Sequence, residues 1–255
     1  MILAINYATS NYRLAQKMNS RMALEHGADK IREFSHKSLD ESFLKKNEKI
    51  FQNSRGDGNW IWKPYIITKA LGEIEWGDYL VYTDSGSAFI NDISLLIGCM
   101  QREKQEIMVF CNDKMEYQYS KRDAFLLLDC DREEIAYSNQ ICGGYIIIKK
   151  TESNVGLMKA YLKNCCDPRL ITDAPNVMGK ENYSGFISNR HDQTVLSLLC
   201  KKNGILPFRD PSQWGNNEKF FSKEVLERST YPQVIESHRK SHIISKRQLE
   251  YYKRK

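Results

Sequence analysis

The seven cysteines form no C-x-x-C pair, and none shares a zinc-type spacing with the five histidines. A structural zinc site is therefore not expected. The cysteine count is odd, and Cys165 and Cys166 are adjacent, an awkward geometry for a disulfide. All seven read as reduced, mostly buried thiols of a reducing compartment. No stretch approaches the ~20 apolar residues that a membrane-crossing helix needs. The opening MILAINYA is a short apolar run without a cleavage pattern, so a cytoplasmic location is expected. There is no internal repeat and no Pro/Gly/Ser-rich linker within the 255 residues, so one domain is favoured over two. An aromatic content of 11% excludes a disordered chain.

Charge is unevenly placed. The chain holds 38 Lys/Arg and 32 Asp/Glu. Seven of those basic residues and one acidic residue fall in the last 18 positions, HRKSHIISKRQLEYYKRK, leaving 31 of each sign in the remaining 237. The body (1–237) is thus electrically balanced and the tail (238–255) carries the excess. A basic segment with Ile243, Ile244, Leu249, Tyr251 and Tyr252 interleaved can rest on an anionic membrane surface or stand as a solvated helix. The body has no basic patch, so nucleic acid is not an expected partner.

Strands and helices alternate along the chain. Apolar runs at 2–7, 30–34, 79–83 and 107–110 read as buried strands. The run 140–149, with Gly143-Gly144 near its centre, reads as another. Helical spacing marks 11–25, 93–102, 153–165 and 192–202. Pro64 suits the first turn of a helix at 64–71, and 39–51 and 120–128 also read as helical. Beyond 203 the pattern becomes irregular. The expectation is an α/β fold, a mixed and mostly parallel central sheet flanked by helices.

Ligands bind such sheets at the strand-to-loop junctions. At the first, Asn6-Tyr7-Ala8-Thr9, an aromatic ring can stack on a base. At the second, Tyr82-Thr83-Asp84-Ser85-Gly86, Asp84 offers a carboxylate to a divalent cation and Gly86 permits close backbone approach. Just upstream lies Trp60-Ile61-Trp62-Lys63-Pro64, which places cationic and aromatic groups near that carboxylate. In the third cluster, Arg190-His191-Asp192-Gln193, Asp192 opens a helix. The positive end of the helix dipole is expected to lower its pKa and suit it to accept a proton. Asp129-Cys130-Asp131 is formally D-x-D but reads as charges closing a helix. His238 and His242 can complete a metal site begun by Asp84, and Arg239 and Lys240 can neutralise a diphosphate.

The blocks R-G-x-G-x-W-x-W-K-P-Y-I-I, G-D-x-x-V-Y-x-D-x-G, S-K-R-D, Q-x-x-G-G-Y-I-I-I-K-K-T and H-D-Q-T-V-L-S-L-L, in this order, resemble a family of small glycosyltransferases. The family occurs in bacterial polysaccharide clusters and large DNA viruses. The resemblance spans most of the chain, to about Ile205. It implies a GT-A-like domain that takes a sugar from a nucleotide donor, often a UDP-sugar, to a glycan or lipid-linked acceptor. It puts Asp84 where such enzymes carry D-x-D carboxylates, with Gly86 in place of the second acid. It puts Asp192 where an acceptor-facing acid belongs. The donor site is accordingly expected at Tyr7, Ala8, Trp62, Lys63, Asp84, Gly86, Lys121 and Gln193, with Lys63 and Lys121 there by charge alone. Asp192 is the expected catalytic residue. Mn²⁺ or Mg²⁺ is expected on Asp84 and His238, though one acid holds a cation less firmly than two. A metal-dependent hydrolase or nucleotidyl-transfer enzyme using Asp84, Asp192 and the histidines, and a non-catalytic carbohydrate- or nucleotide-binding relic, remain as alternatives.

Overall fold

A computed structural model describes residues 1–254. Ten strands follow in chain order: β1 Ile2–Tyr7, β2 Lys30–Phe34, β3 Tyr79–Thr83, β4 Ala88–Phe89, β5 Ile107–Met108, β6 Phe110–Met115, β7 Asn139–Ile141, β8 Tyr145–Lys149, β9 Phe208–Arg209 and β10 Ile235–Glu236. The central sheet has the order β2-β1-β3-β8-β5. β1 pairs in parallel with β2 and β3, whereas β8 is antiparallel to both β3 and β5. Only β8 runs against the rest, which makes the sheet mixed and mostly parallel, as expected.

Both faces of the sheet are covered, which is why its strands read as near-continuous apolar runs. Side chains alternate between the faces. Leu3, Ile5, Leu80, Tyr82, Ile146 and Ile148 join a core with helices Trp62–Leu71, Glu152–Cys165 and Asp192–Lys202. Ala4, Val81 and Ile147 point the other way, into a core with helices Arg13–Glu25 and Ser94–Arg102.

Several boundaries differ from the sequence expectation. The 140–149 run breaks at Cys142-Gly143-Gly144 into β7 and β8, which belong to different sheets. The 107–110 run likewise divides at Val109, sending β6 into a small sheet ordered β7-β6-β9. The helix expected from Pro64 begins at Trp62. Pro64 still lies in the first turn, where its missing N–H removes no intrahelical bond. The 39–51 stretch forms two short helices, Glu41–Lys46 and Glu48–Phe51.

Residues 238–254 cross back over the body. The Arg239 amide donates to the Gly86 carbonyl at 2.7 Å, and the Ala15 amide donates to Ser241 at 3.2 Å. Ile243 and Leu249 are buried in the same core as Met18 and Met22. Lys246 pairs with Glu25 at 2.5 Å, while Ile244 and Tyr251 are exposed. Among the described residues no helix is long and apolar enough to cross a membrane.

Candidate functional site

The carboxyl ends of β1 and β3 open into a cavity of about 560 Å³. At its base Lys63 joins the two acids singled out from the sequence. The Lys63 Nζ lies 2.8 Å from Asp192 Oδ2 and 3.6 Å from Asp84 Oδ1, and it donates to the Gly143 carbonyl at 2.8 Å. The two acids therefore meet at one ammonium although they come from different ends of the chain. β3 delivers Asp84 at its C-terminal end, and the helix Asp192–Lys202 delivers Asp192 from its first turn. That helix follows His191, held at φ 56, ψ −120. Such a conformation costs a non-glycine residue about 1–3 kcal/mol and persists only where the surroundings fix it. Here the His191 Nδ1 bonds to the Ile171 carbonyl at 2.8 Å.

The two acids differ in surroundings. The Asp84 side chain is 48% exposed, whereas those of Asp192 and Lys63 are each 4% exposed. Asp84 Oδ1 accepts from the Tyr82 hydroxyl at 2.5 Å, and Asp192 Oδ2 accepts from the Tyr161 hydroxyl at 3.0 Å. Burial pushes the Asp192 carboxyl upward, Lys63 opposes that shift by its charge and its hydrogen bond, and Asp84 adds to it; the net direction is up. The helix-dipole expectation for Asp192 is thereby reversed, because loss of water outweighs a dipole worth about 1 kcal/mol or less. Burial alone would pull Lys63 down, but Asp192 and then Asp84 more than offset it, so the ammonium is held charged. One ammonium thus serves two acids, and Arg55, Arg190 and Arg239 line the same cavity. The half-exposed acid can meet a ligand, and the buried acid, with a raised pKa, is suited to taking a proton.

Aromatic rings form the adjoining wall. Tyr7 and Trp62 stack with centroids 3.7 Å apart and planes 11° off parallel. The Tyr7 hydroxyl donates to Asp57, and the Trp62 indole donates to the Gly56 carbonyl at 2.8 Å. One face of the Tyr7 ring is thus already covered by Trp62. Asn6 faces away from the cavity, bonded to Gln16, Asn19 and Ser20 in a buried network. Its side-chain amide is therefore not free to bond a ligand in the cavity.

Of the expected donor-site residues, Tyr7, Ala8, Trp62, Lys63, Asp84, Gly86 and Gln193 line the cavity, together with Asp192. Gln193 acts through the backbone: its Oε1 accepts from the Gly143 amide at 2.9 Å, and its amide donates to Gln140 at 2.6 Å. Gly143 is packed tightly here, since a Cβ would lie 3.1 Å from Gln193 Cβ and 3.5 Å from Asp192 Oδ2. Gly86 is approached by protein rather than by open space, because a Cβ there would lie 3.2 Å from Arg239 Cα.

Two expected residues, Lys121 and His238, are not brought to the cavity wall. The Lys121 ammonium donates to the Ala174 carbonyl at 2.5 Å, and burial draws its pKa down. His238 Nδ1 accepts from the Lys240 amide at 3.0 Å, and burial lowers the imidazole to about 4. Asp131 of the D-x-D sequence pairs with Arg122 and Lys180 at 3.0 and 2.9 Å, a structural cluster.

The residues present do not fit a divalent cation held by Asp84 and His238. Asp84 already accepts from Tyr82 and sits beside the Lys63 charge, which would repel a second cation. Among the described residues no group of three His, Cys, Asp or Glu side chains converges, so Asp84 would be the one protein ligand and the remaining ligands would have to come from substrate phosphates and water. His238 does not line the cavity in which the two acids meet.

Sequence reading missed Tyr82, Tyr161, Gln140 and Gly143 as the partners that position this centre. Tyr82, Gln140 and Gly143 stood inside quoted motifs, so proximity to Asp84 and to a strand break was their available signal. Tyr161 gave none.

No protein-family model matches the sequence, and no curated protein sequence matches it. Solved structures resemble it in shape. The apo form of mouse xyloside xylosyltransferase 1 aligns over 92% of this chain and 96% of its own, at 10% identity and a TM-score of 0.44. The galactosyltransferase LgtC, in complex with donor and acceptor sugar analogues, aligns over 92% and 86%, at 12% identity and 0.48. The apo bifunctional glycosyltransferase WbbM aligns over 100% of this chain but 51% of its own, at 8% identity and 0.52. This chain therefore spans about half the length of WbbM. At such identity the likeness shows the fold alone: this is a GT-A-type α/β domain with a mixed sheet flanked by helices.

Proposed function

We propose that the protein is a glycosyltransferase that moves a sugar from a nucleotide-sugar donor, a UDP-sugar first among the candidates, to a hydroxyl of a glycan or lipid-linked acceptor. The observation that carries this reading is the meeting of Asp84 and Asp192 at Lys63 in a cavity walled by stacked aromatics. In the reaction the bond from the anomeric carbon to the diphosphate oxygen breaks, and a bond from that carbon to the acceptor oxygen forms. In an inverting reaction the hydroxyl proton passes to Asp192; in a retaining one it passes to the leaving diphosphate. The diphosphate departs with the added negative charge and must meet cationic groups. Asp84 faces the donor side, and Lys63 holds the two acids in register.

The motif blocks support membership of the small glycosyltransferases of bacterial polysaccharide clusters and large DNA viruses. We extend the proposal to place: action in the cytoplasm, with the basic residues of 238–254 against an anionic membrane where a lipid-linked acceptor would sit. The test is a panel of nucleotide sugars, scored by release of the nucleoside diphosphate with and without added acceptor. Turnover of one donor above the rest is expected. Nucleotide binding without turnover of any donor would instead indicate a relic of the fold.

A further inference from the structure

A second carboxylate two residues after Asp84 would be crowded by the chain that crosses there. The chain at Arg239 crosses directly over Gly86, with its amide bonded to the Gly86 carbonyl at 2.7 Å. Any side chain at 86 would begin 3.2 Å from the Arg239 Cα. Arg239 itself adopts φ 53, a left-handed backbone that a non-glycine residue keeps only when its surroundings impose it. Arg239 lines the same cavity as Asp84. The guanidinium lies 5.6 Å over the Trp214 ring; among the described residues no carboxylate forms an ion pair with it, although its charge opposes the upward push that burial gives the carboxyl of Asp210. Of the other cations that line the cavity, Lys63 meets both acids and Arg55 pairs with Asp173 at 3.5 Å, while Arg190 lies 4.7 Å over the Tyr119 ring, away from the Gly86–Arg239 crossing in sequence and beside Asp192.

Resting on the transferase reading above, we infer that Arg239 takes the place of a divalent cation, its guanidinium holding the donor diphosphate at the Gly86 corner so that nucleoside diphosphates bind without metal. The glycine and the arginine are one device. The small residue admits the crossing strand of chain, and the crossing supplies the charge that a metal between two acids would otherwise bring. A guanidinium fork matches phosphate oxygens in bidentate fashion, which a lysine cannot reproduce.

Calorimetric titration of the full-length protein with UDP, GDP and inorganic pyrophosphate, first in EDTA and then with Mn²⁺ or Mg²⁺, tests this. The tightest-binding probe should keep its affinity within about threefold across those conditions. Arg239→Ala should weaken that probe roughly ten- to a hundredfold, the loss of a charge-assisted hydrogen bond. Arg239→Lys should recover part of the loss, which separates a diphosphate contact from a folding defect. Binding abolished by EDTA and restored by Mn²⁺ overturns the inference while leaving the transferase reading intact. So does wild-type affinity in Arg239→Ala. Wild-type protein that binds none of the three probes under any condition overturns both.

Discussion

Replacing Lys63 with methionine removes the charge at the centre of the site while keeping an unbranched apolar stem. Asp192, 4% exposed, would keep only the Tyr161 hydroxyl as a side-chain partner. Deleting one member of a buried ion pair costs about 3–5 kcal/mol because the other charge is left without compensation. Asp84 adds little to that figure, since at 48% exposed it keeps much of its hydration. The loss should depend on pH. Burial, then Asp84, raise the Asp192 carboxyl, and Lys63 is the main influence lowering it. Without Lys63 it rises further above its unfolded value. A carboxyl raised in this way contributes stability below its unfolded pKa, and that contribution disappears as pH climbs through the folded pKa. Urea unfolding at about pH 5 and pH 8 should therefore show the larger deficit at pH 8. Removing both partners, in Lys63→Met/Asp192→Leu, should recover most of it, because an apolar pair often replaces a buried ion pair at little cost. A deficit at pH 8 below about 1 kcal/mol, or one equal at both pH values, would refute the reasoning.

Three further outcomes follow from the same geometry. Tyr161→Phe deletes a hydrogen bond that lowers the Asp192 carboxyl, so the acidic limb of kcat/KM against pH should move to higher pH; an unmoved limb would mean Asp192 is not the titrating base. Gly143→Ala places a Cβ 3.1 Å from Gln193 and 3.5 Å from Asp192. Turnover should fall, with a stability loss of about 1–3 kcal/mol by thermal unfolding; wild-type turnover would show that this close packing does not position the acid. Truncation after Ser245 removes the buried Leu249 and the Lys246–Glu25 pair, and should cost roughly 1.5–3 kcal/mol. The same truncation should reduce sedimentation with anionic vesicles at low salt, and undiminished sedimentation would remove this segment from membrane contact.

Much of the sheet was legible because its strands are buried on both faces. The runs at 2–7 and 79–83 carry enough apolar residues to be read without tertiary information, whereas 30–34 is an edge strand holding Lys30, Arg32 and Glu33; the bounds of all three agree with β1, β2 and β3. The direction of β8 was not legible, since an apolar pattern is the same in either orientation. Nor were the breaks at Val109 and Cys142-Gly143-Gly144, where neighbouring segments join different sheets. The irregular stretch after 203 hid β9 and β10, which are two residues each and exist only through pairing with β6 and β4. Within the site, the two acids were recognisable from strand-end and helix-start positions. Their meeting at Lys63, and the placement of Arg239 over Gly86, depend on contacts between distant segments that local patterns do not encode. Lys121 shows the converse: a cation chosen for its charge is spent on the Ala174 carbonyl. The misjudged Asp192 pKa has the same origin, because burial is a tertiary property and the helix dipole a local one.

The most direct measurement compares turnover and nucleoside diphosphate affinity in wild-type protein and Asp192→Asn, using the preferred donor from the panel. Loss of Asp192, the general base of an inverting reaction or the acid that orients the substrates of a retaining one, should lower kcat by about 10²–10⁴-fold, while affinity for the nucleoside diphosphate stays within about threefold. Turnover in Asp192→Asn equal to that of the wild type would contradict the central claim that the buried acid and Asp84 act as one site.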